Sequence, residues 1–198
     1  MAFCLLFLFT GIIAVIRVQP FDDHTIRTIL LPSDCSAPCF MGIQPGVTQI
    51  SEVYTLLEAN PWVGKISSHI YTGCCGIALD WWWNGKQPAA LENGKNTVYF
   101  VFDPATGIQK VQNVAIHTQI AAGYAILDLG AWSKDDAGAL QGLDHAYVEV
   151  FYPQQSVQVS TLVPCPLSRW RLWDAPMTMA FNRDSWSMSG MKQISEMC

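Results

Sequence analysis

Val47–Trp62 reads VTQISEVYTLLEANPW, and a gapless copy of it returns at His117–Trp132 as HTQIAAGYAILDLGAW. The two stretches share Thr48/Thr118, Gln49/Gln119, Ile50/Ile120, Tyr54/Tyr124, Leu57/Leu127 and Trp62/Trp132, six identities in sixteen columns. An internal repeat constrains architecture before any local assignment does. In the first copy Thr48 stands as an N-cap, because its hydroxyl can accept an orphan amide of the first turn. Ile50, Val53, Tyr54 and Leu57 then follow at helical spacing, and Pro61 ends the run. In the second copy Thr118 takes the cap position and Ile120, Tyr124 and Leu127 keep the stripe. Gly123 replaces Val53 there, which weakens the helix by about 1 kcal/mol.

Between the copies the hydrophobic period changes from helical to two. Ile66–Thr72 and Ile77–Trp83 read as strands around Gly73-Cys74-Cys75-Gly76, and Asn84-Gly85 is a strong turn signal. Thr97–Phe102 and Ile108–Ile116 form a second hairpin across Asp103–Gly107, and Tyr147–Tyr152 with Ser156–Val163 repeat it. Phe102-Asp103-Pro104 matches Phe151-Tyr152-Pro153, but Trp62 to Phe102 spans forty positions and Trp132 to Phe151 only nineteen. The second unit therefore lacks a hairpin, and Ser133–Ala146 reads as a loop in its place. A last short strand is expected at Met177–Phe181. The fold class expected is α+β: two unequal tandem copies of a helix plus an antiparallel meander, behind an N-terminal apolar helix. The divisions are 1–18 (signal anchor or signal peptide), 19–45 (linker and cysteine loop), 46–117 (first unit), 118–182 (second unit) and 183–198 (tail), with a short strand at Thr25–Leu31 inside the linker.

The chain's 198 residues are 51% apolar and 14% charged, too hydrophobic for disorder. A net charge of -5 with eleven scattered Lys and Arg leaves no basic footprint for nucleic acid. Met1–Ile16 carries no charge before Arg17. As a helix it covers about 24 Å against a hydrocarbon core of roughly 30 Å. Three readings stay open: an uncleaved signal anchor, an atypical cleaved signal, or the end of a span that begins earlier. A buried core helix is the bland alternative. The expected location is thus outside the cytoplasmic membrane, anchored or secreted. Seven cysteines in an exported chain favour disulfides over metal ligands. Cys35–Cys39 is the first pairing expected, and one of Cys74 and Cys75 is expected to reach Cys165. No metal, cofactor or catalytic residue is assigned.

No Gly-x-Ser-x-Gly, His-Glu-x-x-His or phosphate-binding glycine loop occurs. Asp80, Asp103, Asp128, Asp144 and Glu149 read as solvated turn and strand-face carboxylates, and His69 and His117 as structural or surface histidines. Trp81-Trp82-Trp83 is the sharpest local feature. On a strand Trp81 and Trp83 face one side and Trp82 the other. Such a row either fills the core with two indoles and covers an edge with the third, or offers an aromatic to a protein, a sugar ring or a lipid headgroup. These three residues are the binding candidates.

Gly46-Val47-Thr48 at the helix start and Leu56-Leu57 at its end resemble the SmpA/OmlA (BamE-like) and beta-lactamase-inhibitor-protein-like families, over residues 42–163. Cys35-Ser-Ala-Pro-Cys39 through Pro61-Trp62 also resembles uncharacterised membrane-anchored bacterial extracellular proteins. The second copy departs from the motif, since His117 stands where Val47 does and no glycine precedes Thr118. Both named families bind other proteins. The resemblance therefore implies a non-catalytic, membrane-tethered protein-interaction module. The alternative is a carbohydrate- or cell-wall-binding domain built on Trp82, with a cell-surface glycan in place of the protein partner.

Overall fold

The structure, a computed structural model, describes residues 27, 29, 35–71, 76–102, 107 and 109–182. The expected apolar anchor at 1–18, Asp103, Cys74, Cys75 and the tail at 183–198 lie outside the described residues. Among those described, no helix is long and apolar enough to cross a membrane.

Helix α1 (Ile50–Ala59) precedes strands β1 (Val63–Tyr71), β2 (Gly76–Trp83), β3 (Lys95–Phe102) and β4 (Gln109–Ala121). Helix α2 (Ala122–Leu129) and a 3-10 turn (Lys134–Asp136) lead to β5 (Ala137–Gln141), β6 (His145–Tyr152) and β7 (Val157–Pro164). Helix α3 (Arg169–Asp174) and β8 (Pro176–Asn182) complete the described elements. All eight strands join one antiparallel sheet in the order β1-β2-β3-β4-β8-β7-β6-β5. The chain lays down β1 to β4 as neighbours, crosses to the far edge, and returns until β8 closes on β4.

This corrects the expectation of two unequal helix-plus-meander copies: the strands form one continuous eight-stranded sheet, with few helices among the described residues. The presumed loop at Ser133–Ala146 contains β5, which pairs with β6 from Ala137↔Val150 to Gln141↔Ala146. The matched stretches are both helical over the aligned positions 52–59 and Ala122–Leu129, but they differ before that. Ile50 opens α1, whereas Thr118 and Ile120 belong to β4 and the second helix starts only at Ala122. Leu57 is fully buried and Leu127 is 65% exposed, although the alignment equates them. The caps differ too. Gln49, not Thr48, is the N-cap of α1, with its amide donating to Glu52 Oε2 at 2.8 Å. Thr118 caps nothing and donates its hydroxyl to Met177 O across the β4–β8 seam at 2.7 Å. Arg27 and Ile29 are helical, not part of the strand expected there.

Alternation along the strands gives the sheet two different faces. On one, Leu79, Trp81, Val98, Phe100, Ile116, Val150, Val159, Met179 and Phe181 pack with Val53 and Leu57 of α1 and Ala122 and Ala125 of α2. Each large apolar side chain buried there contributes about 1.5–3 kcal/mol, which makes this layer the main source of stability. Phe40 and Ile43, just beyond the cysteine loop, complete the layer, and Phe40 stacks on Phe181 at 5.5 Å. Under α3 a smaller cluster joins Ala139, Ala146, Val148, Val163 and Ala175 to Leu167 and Leu172. The described helices therefore sit on one side of the sheet, and none of them packs on the other, which is the helix-free face in that sense.

Candidate functional site

Cross-strand register defines what the helix-free face displays. One row runs Phe151–Gln158–Ala180–Ala115–Thr97–Asp80–Ser67 through seven strands. Beside it runs Gly138–Glu149–Ser160–Thr178–His117, and next to that Leu140–Tyr147–Leu162. A fourth row is Asn182–Asn113–Tyr99–Ala78–His69. Small residues occupy the middle, at Ala115, Ala180, Ser160 and Thr178, while tyrosines stand to either side at Tyr99 and Tyr147. The result is a groove of about 410 Å³ over β3, β4, β8, β7 and β6, into which Glu149, Gln158 and Asn113 also face.

Glu149 is only 6% exposed. The Tyr147 hydroxyl donates to its Oε2 at 3.0 Å, and the Gln158 side chain is its second hydrogen-bond partner. Gln158 is held in turn by Asn182 Nδ2, which donates to its Oε1 at 2.8 Å. Burial pushes the Glu149 carboxyl above the ordinary range, and the bonds from Tyr147 and Gln158 only partly oppose it. Burial likewise raises the Tyr147 phenol. Asn113, 5% exposed, keeps its Oδ1 without a hydrogen-bond partner among the described residues. Unused hydrogen-bonding capacity of this kind is uncommon in a folded interior.

A second polar cluster sits at the β1–β3 end of the same face. Asp80, also 6% exposed, accepts from Thr97 Oγ1 at 2.7 Å. Its Oδ2 lies 3.4 Å from Lys95 Nζ and 3.5 Å from His69 Nδ1. Both oxygens are thus engaged, and the cluster ties three strands together. At the seam His117 Nδ1 is 3.0 Å from Thr178 Oγ1. Among the described residues no group of three or more His, Cys, Asp or Glu is placed to hold a metal ion.

Trp81 and Trp83 lie in the core, 0% and 5% exposed, and meet edge to face at 5.8 Å. Trp82 points to the helix-free face, half-buried, with Lys65 Nζ 5.0 Å from its ring centre. The tryptophan row therefore places a single indole on the open side, already stacked by a lysine. Cys35 and Cys39 are bridged with Cα atoms 6.1 Å apart, and Cys165 is disulfide-bonded. Asp128 pairs with Arg27 at 3.2 Å and Asp144 with His145 at 2.7 Å. The expectation that Asp80, Asp128 and Glu149 are solvated is corrected: Asp80 and Glu149 are buried on the helix-free face, and the Asp128 side chain is only 9% exposed. Parity along HAYVEVFY puts Tyr147 and Glu149 on one side, but burial there depends on neighbours from β5, β7 and β8 that local sequence does not supply.

Comparison with protein-family models, with curated proteins and with solved structures finds no match for this chain.

Proposed function

We propose that this chain is a non-catalytic interaction module that docks a partner protein on the helix-free face of its sheet. The observation that carries this reading is the asymmetry of the two faces. One is filled by helices and large apolar side chains, whereas the other holds a groove with buried polar groups and a half-exposed apolar rim. Leu140 and Leu162, 46% and 58% exposed, flank Tyr147 on that rim. Tyrosine is enriched at interface hot spots, and the exposed leucines beside it give a partner apolar area to cover. The disulfides at Cys35–Cys39 and Cys165 support a place in an oxidising, extracytoplasmic compartment. The apolar head at 1–18 supplies the tether in this reading. The sugar-binding alternative depends on Trp82, and a stacked sugar there would compete with Lys65 for the ring.

A displayed random-peptide library selected on the whole chain tests the docking face. Ligands are expected to lose binding to Ala180→Arg, which fills the groove floor, and to keep binding to Leu127→Arg on α2. The opposite pattern would reject the reading. Glycan-array binding that disappears in Trp82→Ala while the fold persists would favour the sugar-binding alternative.

A further inference from the structure

Among the described residues Glu149 is a buried carboxylate with no basic side chain paired to it. A carboxylate offers about four lone-pair sites, and Tyr147 and Gln158 occupy two. The strand on its edge side contributes no side chain, because Gly138 is its partner on β5, while Ser160 is its short partner on β7. Glu149 thus opens into the groove between small neighbours, with Tyr99 and Tyr147 among the lining residues. Leu140 and Leu162 stand one row away, where an aliphatic stem can lie. An unpaired buried charge is costly, and a cation brought to it recovers much of that cost through charge-assisted hydrogen bonds. Aromatic walls add attraction for the same cation.

We propose that the Glu149 recess receives the guanidinium or ammonium group of an arginine or lysine side chain presented by the docked partner. The inference rests on the docking reading and adds the chemistry of its anchor. A basic side chain of the partner would end on the free lone pairs of Glu149, pack its stem on Leu140 and Leu162, and exclude water from the groove.

The test uses the full chain and two capped tripeptides, acetyl-Leu-Arg-Leu-amide and the same peptide with citrulline, a neutral isostere of arginine. Calorimetry and amide chemical-shift mapping read the result. The arginine peptide is expected to bind at least about tenfold more tightly than the citrulline peptide and to shift Gly138, Glu149 and Ser160. Glu149→Gln should bring the two peptides to equal affinity. Ser160→Arg, which supplies a cation from the neighbouring strand, should block the arginine peptide in a chain whose Glu149 is intact. Equal affinity of the two peptides for the natural chain, shifts confined to another surface, or no shift at about 10 mM peptide would overturn the inference. The docking reading fails separately. Library ligands lost in Ala180→Arg but indifferent to Glu149→Gln would preserve docking and remove the cation recess. Arginine-peptide binding at Glu149 without any ligand sensitive to Ala180→Arg would do the reverse.

Discussion

Tyr147 and Glu149 stand two residues apart on the same face of β6, and the tyrosine hydroxyl donates to Glu149 Oε2 at 3.0 Å. That bond holds a carboxyl which burial pushes above its ordinary value of 4.5. A raised folded value means that the native state binds the proton more tightly than the unfolded chain. Stability from this group is therefore fully present below pH 4.5 and declines as pH rises through the raised folded value. Glu149→Gln mimics the neutral form. It should be more stable than the natural chain at pH 7, with the difference vanishing below pH 4.5, as read by urea denaturation across pH.

Tyr147→Phe removes the donor while keeping the ring. The loss should be about 1.5–3 kcal/mol above the Glu149 titration, where the bond is to a charged group, and smaller below it. Carbon-detected NMR titration of Glu149 should show its value moving further up in this variant, since the Tyr147 bond is one of the two that lower it. No upward movement would mean that the hydroxyl does not bond the carboxylate.

Asp80 is a buried carboxylate whose Oδ1 depends on Thr97 Oγ1 at 2.7 Å. Thr97→Val keeps the branched shape and deletes the donor, so it should destabilise by about 1–3 kcal/mol. Thr97→Ser should recover most of that loss. Chemical denaturation separates the two variants.

Gly123 has Trp173 carbons 2.5 Å from where a Cβ would stand. The tryptophan of α3 thus lies on the glycine of α2, which explains a helix glycine that propensity alone disfavours. Gly123→Ala should cost about 1–3 kcal/mol by overpacking, and Trp173→Leu in the same chain should relieve part of it. Thermal melts of the single and double variants check the coupling.

The three tryptophans divide by parity. Trp81→Ala empties a fully buried site and should cost about 3–5 kcal/mol. Trp82→Ala, on the half-buried side under Lys65, should cost under about 1 kcal/mol. Equal losses would contradict the assignment of the two faces.

Much of the strand layout is legible where side chains alternate strongly. The run Ile77–Trp83 lies within Gly76–Trp83 and Tyr147–Tyr152 lies within His145–Tyr152. β5 escapes because AGALQ holds no β-branched or aromatic residue, and only its pairing with β6 makes it a strand. α3 escapes because six residues, RWRLWD, are too few to display a helical period. The identities between Val47–Trp62 and His117–Trp132 locate a helix in each stretch, Ile50–Ala59 and Ala122–Leu129, but mislead about where the second one starts. They align a helix start with the end of β4, so Thr118 and Ile120 serve a strand and Leu127 is left exposed. The site is the least legible part. Asp80 and Glu149 look solvated in a linear reading and become buried only when the sheet surrounds them.

Photo-cross-linking tests the docking face most directly. The whole chain carrying benzoylphenylalanine at position 162, on the rim of the groove, is compared with the chain carrying it at position 127 on α2, each with a library-selected ligand. Both positions are exposed, at 58% and 65%, so access alone does not favour one of them. The account predicts a covalent ligand adduct at 162 and none at 127. An adduct at 127 with none at 162 would contradict it.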